Sequence, residues 1–197
     1  MNNIKIDKSI IPAKIVNLNA IELKNVVFNS KFPKQYQKND DGSFLVKLVS
    51  EIKNESDIKK ILSSIGIDKN TQVVYNKNTS RVNLKINNYY VFDIGVDISQ
   101  KDGYTHIFGD WYVNETRPTK SRNISEIVPI TGILIEFANQ FKSDNEIKIE
   151  SITLGYYIPE SKRGVNNMNT SATPCYKILT SNNESYFYNA RNGEYLK

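Results

Sequence analysis

The sequence predicts an α+β fold in which helices pack across one face of antiparallel sheets. Apolar residues recur with a period of two over residues 71–116 and again over 147–190, which is typical of half-buried strands. Two other segments have apolar residues at a period near 3.6, which indicates amphipathic helices. Strands, a helix and then further strands follow one another along the chain, as in a helix lying across an antiparallel sheet.

The first helix is predicted over about 56–65. Its apolar residues at helical spacing are Ile58, Ile61, Leu62 and Ile65. Ser56 is expected to cap the helix, because its hydroxyl can accept a hydrogen bond from an early backbone N–H. Gly66 suits the left-handed residue that ends a helix.

The second helix is predicted over about 129–142. Pro129 fits the first turn, where its missing N–H costs nothing. One face carries Ile130, Leu134, Phe137 and Phe141, with Ile133 and Ala138 beside it.

The residues before the first helix give a weaker pattern: a strand is expected within 20–28, a turn at 39–43, and a strand or helix over 43–52.

The middle of the chain predicts an antiparallel meander. Residues 81–86 alternate, Asn87-Asn88 forms a turn, and a long strand covers 89–99. On that strand one face is expected to hold Tyr90, Phe92, Ile94, Val96 and Ile98, and the other Val91, Asp93, Gly95 and Asp97. Residues 100–103 predict a hairpin turn, and the returning strand over 104–116 is expected to kink near Gly109-Asp110.

The end of the chain predicts three strands, over 147–160, 173–181 and 184–190. A long polar loop over 161–172 separates the first two, and the tetrapeptide Ser-Asn-Asn-Glu (181–184) joins the last two. On the last strand Tyr186 and Tyr188 share one face. Asn192-Gly193 then provides a turn that lets the chain reverse.

The length of 197 residues and the 39% apolar content fit one domain or two small ones packed together. We expect an N-terminal α+β half over 1–86 and a C-terminal half over 87–197. The net charge is +5, but 26 basic residues are interleaved with 21 acids. The densest basic run, 31–38, is therefore interpreted as a solvated loop.

The cysteine count excludes an intrachain disulfide, because Cys175 stands alone. A single Cys fits a cytosolic protein, and it also fits exported proteins of Gram-positive bacteria that avoid Cys. The sequence contains no run of 18 apolar residues that would span a membrane.

Side-chain chemistry has few candidates. His106 and Cys175 could form a nucleophile–base pair only by meeting across a sheet, and the favoured interpretation is a strand residue and a small core residue. Asp93 and Asp97 lie roughly 13 Å apart along one strand, too far to share a proton. The sequence has no metal-ligand spacing and no phosphate-binding glycine loop, so no cofactor is expected. Nucleic-acid binding is not expected either, because the aromatic residues occupy core-like positions.

Residues 147–197 carry an ordered set of motifs: a strand ending in Leu-Gly-Tyr-Tyr, a polar loop, a Pro-aromatic strand, and a Tyr-Asn-Ala-x-x-Gly-Glu finish. The positions are Leu154, Gly155, Tyr156, Tyr157, Pro174, Tyr176, Tyr188, Asn189, Ala190, Gly193 and Glu194. This order resembles the ending of the YycI regulatory proteins and of the related YycH proteins. One departure is Cys175-Tyr176, where proteins of this kind usually carry Trp.

This resemblance implies a non-enzymatic regulator with a YycI/PepSY-like α+β domain. YycI-like proteins are held by one N-terminal membrane helix and place their domain outside the cytoplasmic membrane. With YycH they associate with the WalK (YycG) sensor histidine kinase, which governs cell-wall metabolism in low-GC Gram-positive bacteria. The membrane anchor is then expected outside these 197 residues. Candidate contact surfaces are the 161–172 loop and the exposed face of the 89–113 hairpin, while the motif residues are expected to be structural.

Two alternatives remain open from the sequence. PepSY-type domains share a similar last strand, so an inhibitory or chaperone module of an exported protease is the closest alternative. An enzyme such as a cell-wall hydrolase is the third class, and its candidate residues would be His106, Cys175, Asp93 and Asp97.

Overall fold

The computed structural model describes residues 4–12, 18–25, 36–39, 43–48, 52–65, 67, 73–74, 79–114, 127–140, 146–163 and 169–197. These residues form twelve strands, two α-helices and two short 3₁₀ turns. The strands are β1 (Ile4–Ile6), β2 (Ile21–Asn25), β3 (Tyr36–Lys38), β4 (Phe44–Leu48), β5 (Val73–Val74), β6 (Thr79–Ile86), β7 (Tyr89–Lys101), β8 (Tyr104–Gly109), β9 (Tyr112–Asn114), β10 (Ile147–Tyr157), β11 (Asn169–Thr180) and β12 (Ser185–Asn189). The helices are α1 (Glu55–Ser64) and α2 (Ile130–Gln140), and the 3₁₀ turns are Lys8–Ile10 and Glu160–Lys162.

The predicted α+β class, with helices packed across one face of the sheets in a YycI/PepSY-like manner, is wrong, because the protein is mostly β. The two helices have 10 and 11 residues, whereas β7, β10 and β11 alone have 13, 11 and 12. Both helices lie where the apolar spacing predicts them, but the strands around them are more numerous and several are longer. The segments with a weak pattern at 4–6, 21–25 and 44–48 are strands, and residues 36–38 form β3, so the interpretation of 31–38 as a solvated loop is wrong for these three residues.

The chain forms two compact units, each assembled from separated stretches. One, called the first unit here, comprises residues 1–21, 116–157 and 172–197, and the second comprises 22–115 and 158–171. The boundary expected between residues 86 and 87 falls inside the β6–β7 hairpin of the second unit. Long-range strand pairing, which a single sequence does not display, determines this division.

The sheet of the first unit has the order β1-β10-β11-β12. β1 runs parallel to β10, with Ile4 opposite Ile147, and the remaining pairs are antiparallel. Helix α2 packs on this sheet through Phe137, whose ring contacts Tyr186 and Tyr188 edge-on at centroid distances of 5.2 and 6.4 Å. The predicted shared face of these two tyrosines is thereby confirmed.

The sheet of the second unit has the order β3-β4-β8-β7-β6-β5, and every pair is antiparallel. One face of its central strands is buried, and its apolar members include Phe44, Val46, Ile107, Ile98, Val96 and Val82. In the same unit β2 pairs with β9, with Leu23 opposite Asn114. The meander predicted from the period-two pattern is confirmed.

The two predicted hairpin turns of the meander are confirmed by their backbone angles. Asn87 and Asn88 have φ of 51° and 69°, and Asp102 and Gly103 have φ of 54° and 77°. Positive φ at both central residues defines the type I′ turn, whose twist matches that of the strands it joins. Asn, Asp and Gly are the residues that tolerate these angles best. The turn expected at 39–43 closes through a 2.9 Å bond from Asn39 N–H to the Ser43 carbonyl.

Strand β7 departs from simple alternation. Its register against β6 shifts between the pairs Asn83–Gly95 and Lys85–Tyr90, and Asp93 in the bulge has φ of 61°. Val91 and Gly95 are buried, while Asp93 and Asp97 are exposed. Gly95 and Asp97 lie two residues apart where the pairing with β6 is regular, so they share one face as predicted. The prediction is wrong for Val91, because the bulge between Val91 and Gly95 inserts extra residues and breaks the alternation.

Several other predictions need correction at their ends. Helix α1 begins at Glu55 and its cap is Asn54, whose side chain accepts from Asp57 N–H at 3.2 Å, so the Ser56 cap is wrong. The polar loop expected over 161–172 is partly wrong, because residues 169–172 begin β11 and residues 160–162 form a 3₁₀ turn. Gly66, Phe141, residues 26–28 and residues 31–35 lie outside the described part of the chain.

Candidate functional site

The motif residues of the C-terminal ending come together in the first unit. In the β10–β11 ladder Leu154 lies opposite Tyr176, and Tyr156 lies opposite Pro174. In the β11–β12 ladder Tyr176 lies opposite Tyr188, so the aromatic positions of three strands lie in adjacent rows. Tyr157, at the end of β10, stacks on Phe187 at a centroid distance of 5.2 Å.

The last turn ties the remaining motif residues to the same sheet. Ala190 N–H donates to the Pro174 carbonyl at 2.9 Å, and Asn189 N–H donates to the Glu194 carbonyl at 2.8 Å. Gly193 has φ of 79°, a left-handed value that glycine adopts without strain, so the turn predicted at Asn192-Gly193 is confirmed. The chain then returns along β12, and Tyr195 forms a bridge with Tyr188.

Burial indicates what these motif residues do. Tyr156, Tyr188 and Ala190 are at most 2% exposed, and Tyr176 is 3% exposed. Burial raises the pKa of the Tyr176 hydroxyl, and burial followed by the nearby Tyr195, Glu136 and Tyr186 raises the pKa of Tyr188. The Tyr188 hydroxyl also donates to the Gln140 side chain at 2.9 Å. The motif therefore builds the core and the last turn of the first unit.

The candidate catalytic residues His106 and Cys175 belong to different units of the chain. Cys175 is fully buried in β11, and its thiol donates to the Tyr176 carbonyl at 3.4 Å. His106 lies in β8 of the second unit, where its Nε2 is buried and has no hydrogen-bond partner among the described residues. Each residue is accommodated within its own strand, in line with the interpretation of both as strand residues.

The two aspartates also differ in setting. Asp97 pairs with Arg81 across the β6–β7 ladder, and its Oδ2 lies 2.7 Å from Nη1 of that guanidinium. Asp93 occupies the β7 bulge at positive φ.

Within the described ranges, no group of three or more His, Cys, Asp or Glu side chains could hold a metal ion. Over the same ranges, neither α-helix has the length and apolar character needed to cross a bilayer.

The second unit presents a mixed aromatic and cationic surface on the side of its sheet opposite the buried face. Strand pairing places Leu45, Phe108, Asp97 and Arg81 in one row, and Lys47, His106 and Ser99 in the next. Tyr104 and Lys101 form a third row. We call these nine residues the open face. It includes part of the exposed hairpin face that the sequence indicated, but β4 was not recognised as its neighbour.

The contacts on the open face are specific. Phe108 is 47% exposed, whereas its strand neighbour Ile107, on the opposite face, is fully buried. The Lys47 ammonium lies 4.0 Å from the centroid of the Tyr104 ring, within the range of a cation–π contact. Arg81 holds Asp97 and also donates from Nε to Asn83 at 3.1 Å. The Phe108 ring is thus left exposed near two ordered contacts, the Lys47–Tyr104 cation–π contact and the Arg81–Asp97 ion pair.

A scan against protein-family models finds no family that matches this chain, and a search of curated proteins finds no match either.

Proposed function

We propose that this protein is a regulatory domain that acts outside the cytoplasmic membrane and modulates a sensor histidine kinase through protein–protein contact. The kinase would be of the WalK kind, which controls cell-wall metabolism, and a YycH-like protein would be a second partner. A membrane helix outside the described residues would hold the domain at the cell surface. The domain would act without catalysis.

The observation that carries this proposal is the convergence of the C-terminal motif. Its residues are spread from 154 to 194 in the sequence, yet they occupy adjacent rows and the final turn of one sheet. Each has a physical role there, as buried ring, close strand partner or turn residue. The motif residues therefore belong to one sheet and its last turn, and their order along the chain resembles that of the YycI ending. The proposal depends on this ending and not on the fold class.

Regulation by contact has a simple energetic requirement. A bound domain shifts the equilibrium between two kinase states only when it binds one state more tightly than the other. A difference of about 1.4 kcal/mol in binding free energy changes the ratio of the states roughly tenfold. A modest interface is sufficient for a difference of this size.

The test uses the full-length protein, tagged at its C-terminus and expressed in its own cells. We expect it in the membrane fraction, we expect the sensor kinase to co-purify with it, and we expect its deletion to change phosphorylation of the cognate response regulator. A cytosolic protein that brings down no kinase, together with unchanged phosphorylation after deletion, would overturn the proposal. A domain that instead suppresses turnover by an exported protease would indicate the inhibitory alternative.

A further inference from the structure

The open face of the second unit differs from an ordinary solvated sheet face. Phe108 lies on β8, one of the two middle strands of this face, with 47% of its surface exposed, between Leu45 on β4 and Asp97 on β7. Large aromatic side chains contribute most to binding when they lie near the centre of an interface and a partner excludes water from them. Phe108 lies on a middle strand of the face and has the exposure of such an anchor.

The open face carries more positive than negative charge. Its cations are Lys47, Arg81 and Lys101, and its one carboxylate, Asp97, is already held by Arg81 at 2.7 Å. Lys47 and Lys101 therefore remain without a carboxylate partner on this face. A complementary surface would carry carboxylates beside an apolar side chain.

The nine residues of the open face suit a short segment. They span four strands about 4.8 Å apart and five residues along β8, roughly 14 Å by 14 Å. The sheet face continues beyond them, because Gln37 on β3 lies opposite Leu45 and Asn83 follows Arg81 by two residues on β6. A contact confined to the nine residues is several times smaller than the roughly 800 Å² that each partner buries in a stable interface between folded proteins. It accommodates one extended segment of a few residues.

The same contacts favour a protein over a nucleic acid. Single-stranded nucleic acids bind where successive bases stack on several exposed rings. Here the Lys47 ammonium covers the Tyr104 ring, which leaves Phe108 as the one largely exposed ring of the open face.

We propose that the open face is a docking surface for a short acidic segment of a partner protein, with an apolar side chain of that segment packed on Phe108. Carboxylates on either side would pair with Lys47 and Lys101. This inference rests on the proposed function, because it takes the sensor kinase as the protein that carries the acidic segment.

The test measures binding of three probes to the whole chain. The probes are a synthetic peptide of alternating glutamate and leucine, the same peptide with lysine in place of glutamate, and an oligothymidylate. We expect the acidic peptide to bind, more weakly at high salt because the charged pairs are exposed. Phe108→Ala and Lys47→Glu should each weaken that binding about tenfold or more. Ile135→Ala, which removes a 64% exposed side chain from α2, is the matched control and should leave it unchanged.

Three results would overturn the inference. These are no binding of the acidic peptide, equal binding of the lysine peptide, and binding of oligothymidylate alone that the same two variants abolish. Circular dichroism must show that each variant is folded. The third result would assign the face to nucleic acid.

Kinase co-purification separates the two proposals. If the wild-type protein brings down no kinase but the acidic peptide still binds, the proposed function fails and the docking surface stands. If wild type and Phe108→Ala bring down the kinase equally, the open face is not the kinase contact and the proposed function stands.

Discussion

Two glycines in the second unit allow strands to approach more closely than other residues would permit. A Cβ added at Gly109 would lie 2.1 Å from the Gly95 carbonyl oxygen, and one added at Gly95 would lie 2.4 Å from the Val82 carbonyl oxygen. Gly109 also has φ of 145°, and its neighbour Asp110 donates to the Gly95 carbonyl at 3.0 Å. The kink predicted at Gly109-Asp110 therefore has a physical cause in the packing of backbone on backbone.

Gly109→Ala is expected to destabilise the protein by about 3 kcal/mol or more. The new methyl group would both overlap the β7 backbone and require a disfavoured φ, and each effect costs about 1–3 kcal/mol. Gly103→Ala is the matched control, because Gly103 has φ of 77° with no atom within 4 Å of its added Cβ. It should cost about 1 kcal/mol from backbone strain alone. Urea unfolding measures both, and equal losses would contradict the packing explanation.

Residues whose role is local could be predicted, and residues whose role depends on register could not. Asn87, Asn88 and Gly193 were predicted as turn residues because turn chemistry depends on neighbours in sequence. The close approach of Gly95 to Val82 depends on which residues face each other across β6 and β7. A single sequence carries no direct signal for that pairing.

At the scale of elements, helix α1 shows how an apolar pattern identifies a helix but not its first residue. Ile58, Ile61 and Leu62 are buried as the spacing predicted. The cap depends on one hydrogen bond, and both Asn54 and Ser56 are suitable residue types. Asn54 takes the cap position. The Asp57 carboxylate accepts a 3.1 Å hydrogen bond from Lys53 N–H, and this bond lowers the pKa of the Asp57 carboxyl.

Asn54→Ala is expected to cost about 1 kcal/mol of stability, because it removes the side-chain acceptor of the Asp57 N–H and leaves only the 3.2 Å bond to the Asn54 carbonyl. Ser56→Ala should change stability by less than about 0.5 kcal/mol, since Ser56 lies within the first turn and alanine favours helix. The two variants are compared by thermal unfolding. A larger loss for Ser56→Ala would place the start of the helix two residues later than the structure does.

The strands of the open face show that a sequence pattern identifies a strand but not its neighbours in the sheet. The period-two pattern identified β7 and β8 and indicated an exposed hairpin face, but β4 had no clear assignment. The pairing of Lys47 with His106 adds β4 to that face and brings the Lys47 ammonium to the Tyr104 ring. A candidate surface that several neighbouring strands form can therefore be identified only when the order of the strands in the sheet is known.

At the scale of the whole molecule, buried tyrosines link stability to alkaline pH. The chain has 12 tyrosines, and the pKa is raised for Tyr176, Tyr186 and Tyr188. Burial, then the hydrogen bond to Glu184, raises the pKa of Tyr186 to about 12, and its hydroxyl lies 2.5 Å from the Glu184 carboxylate. In the unfolded chain a tyrosine titrates near pH 10.

The direction of the pH effect follows from these values. Because folding raises the pKa of Tyr186, the folded state holds this proton more tightly, and the stability that it contributes is complete below about pH 10. That contribution is lost as the pH rises through about 12. We therefore expect the free energy of unfolding to fall between these values and tyrosinate absorbance to rise with unfolding. In Tyr186→Phe the free energy of unfolding should decrease less over this pH range than in the wild type. Glu184→Gln should have a smaller effect, because burial, the first cause of the raised Tyr186 pKa, remains in that variant. If both variants follow the wild-type curve, Tyr186 does not govern the alkaline transition.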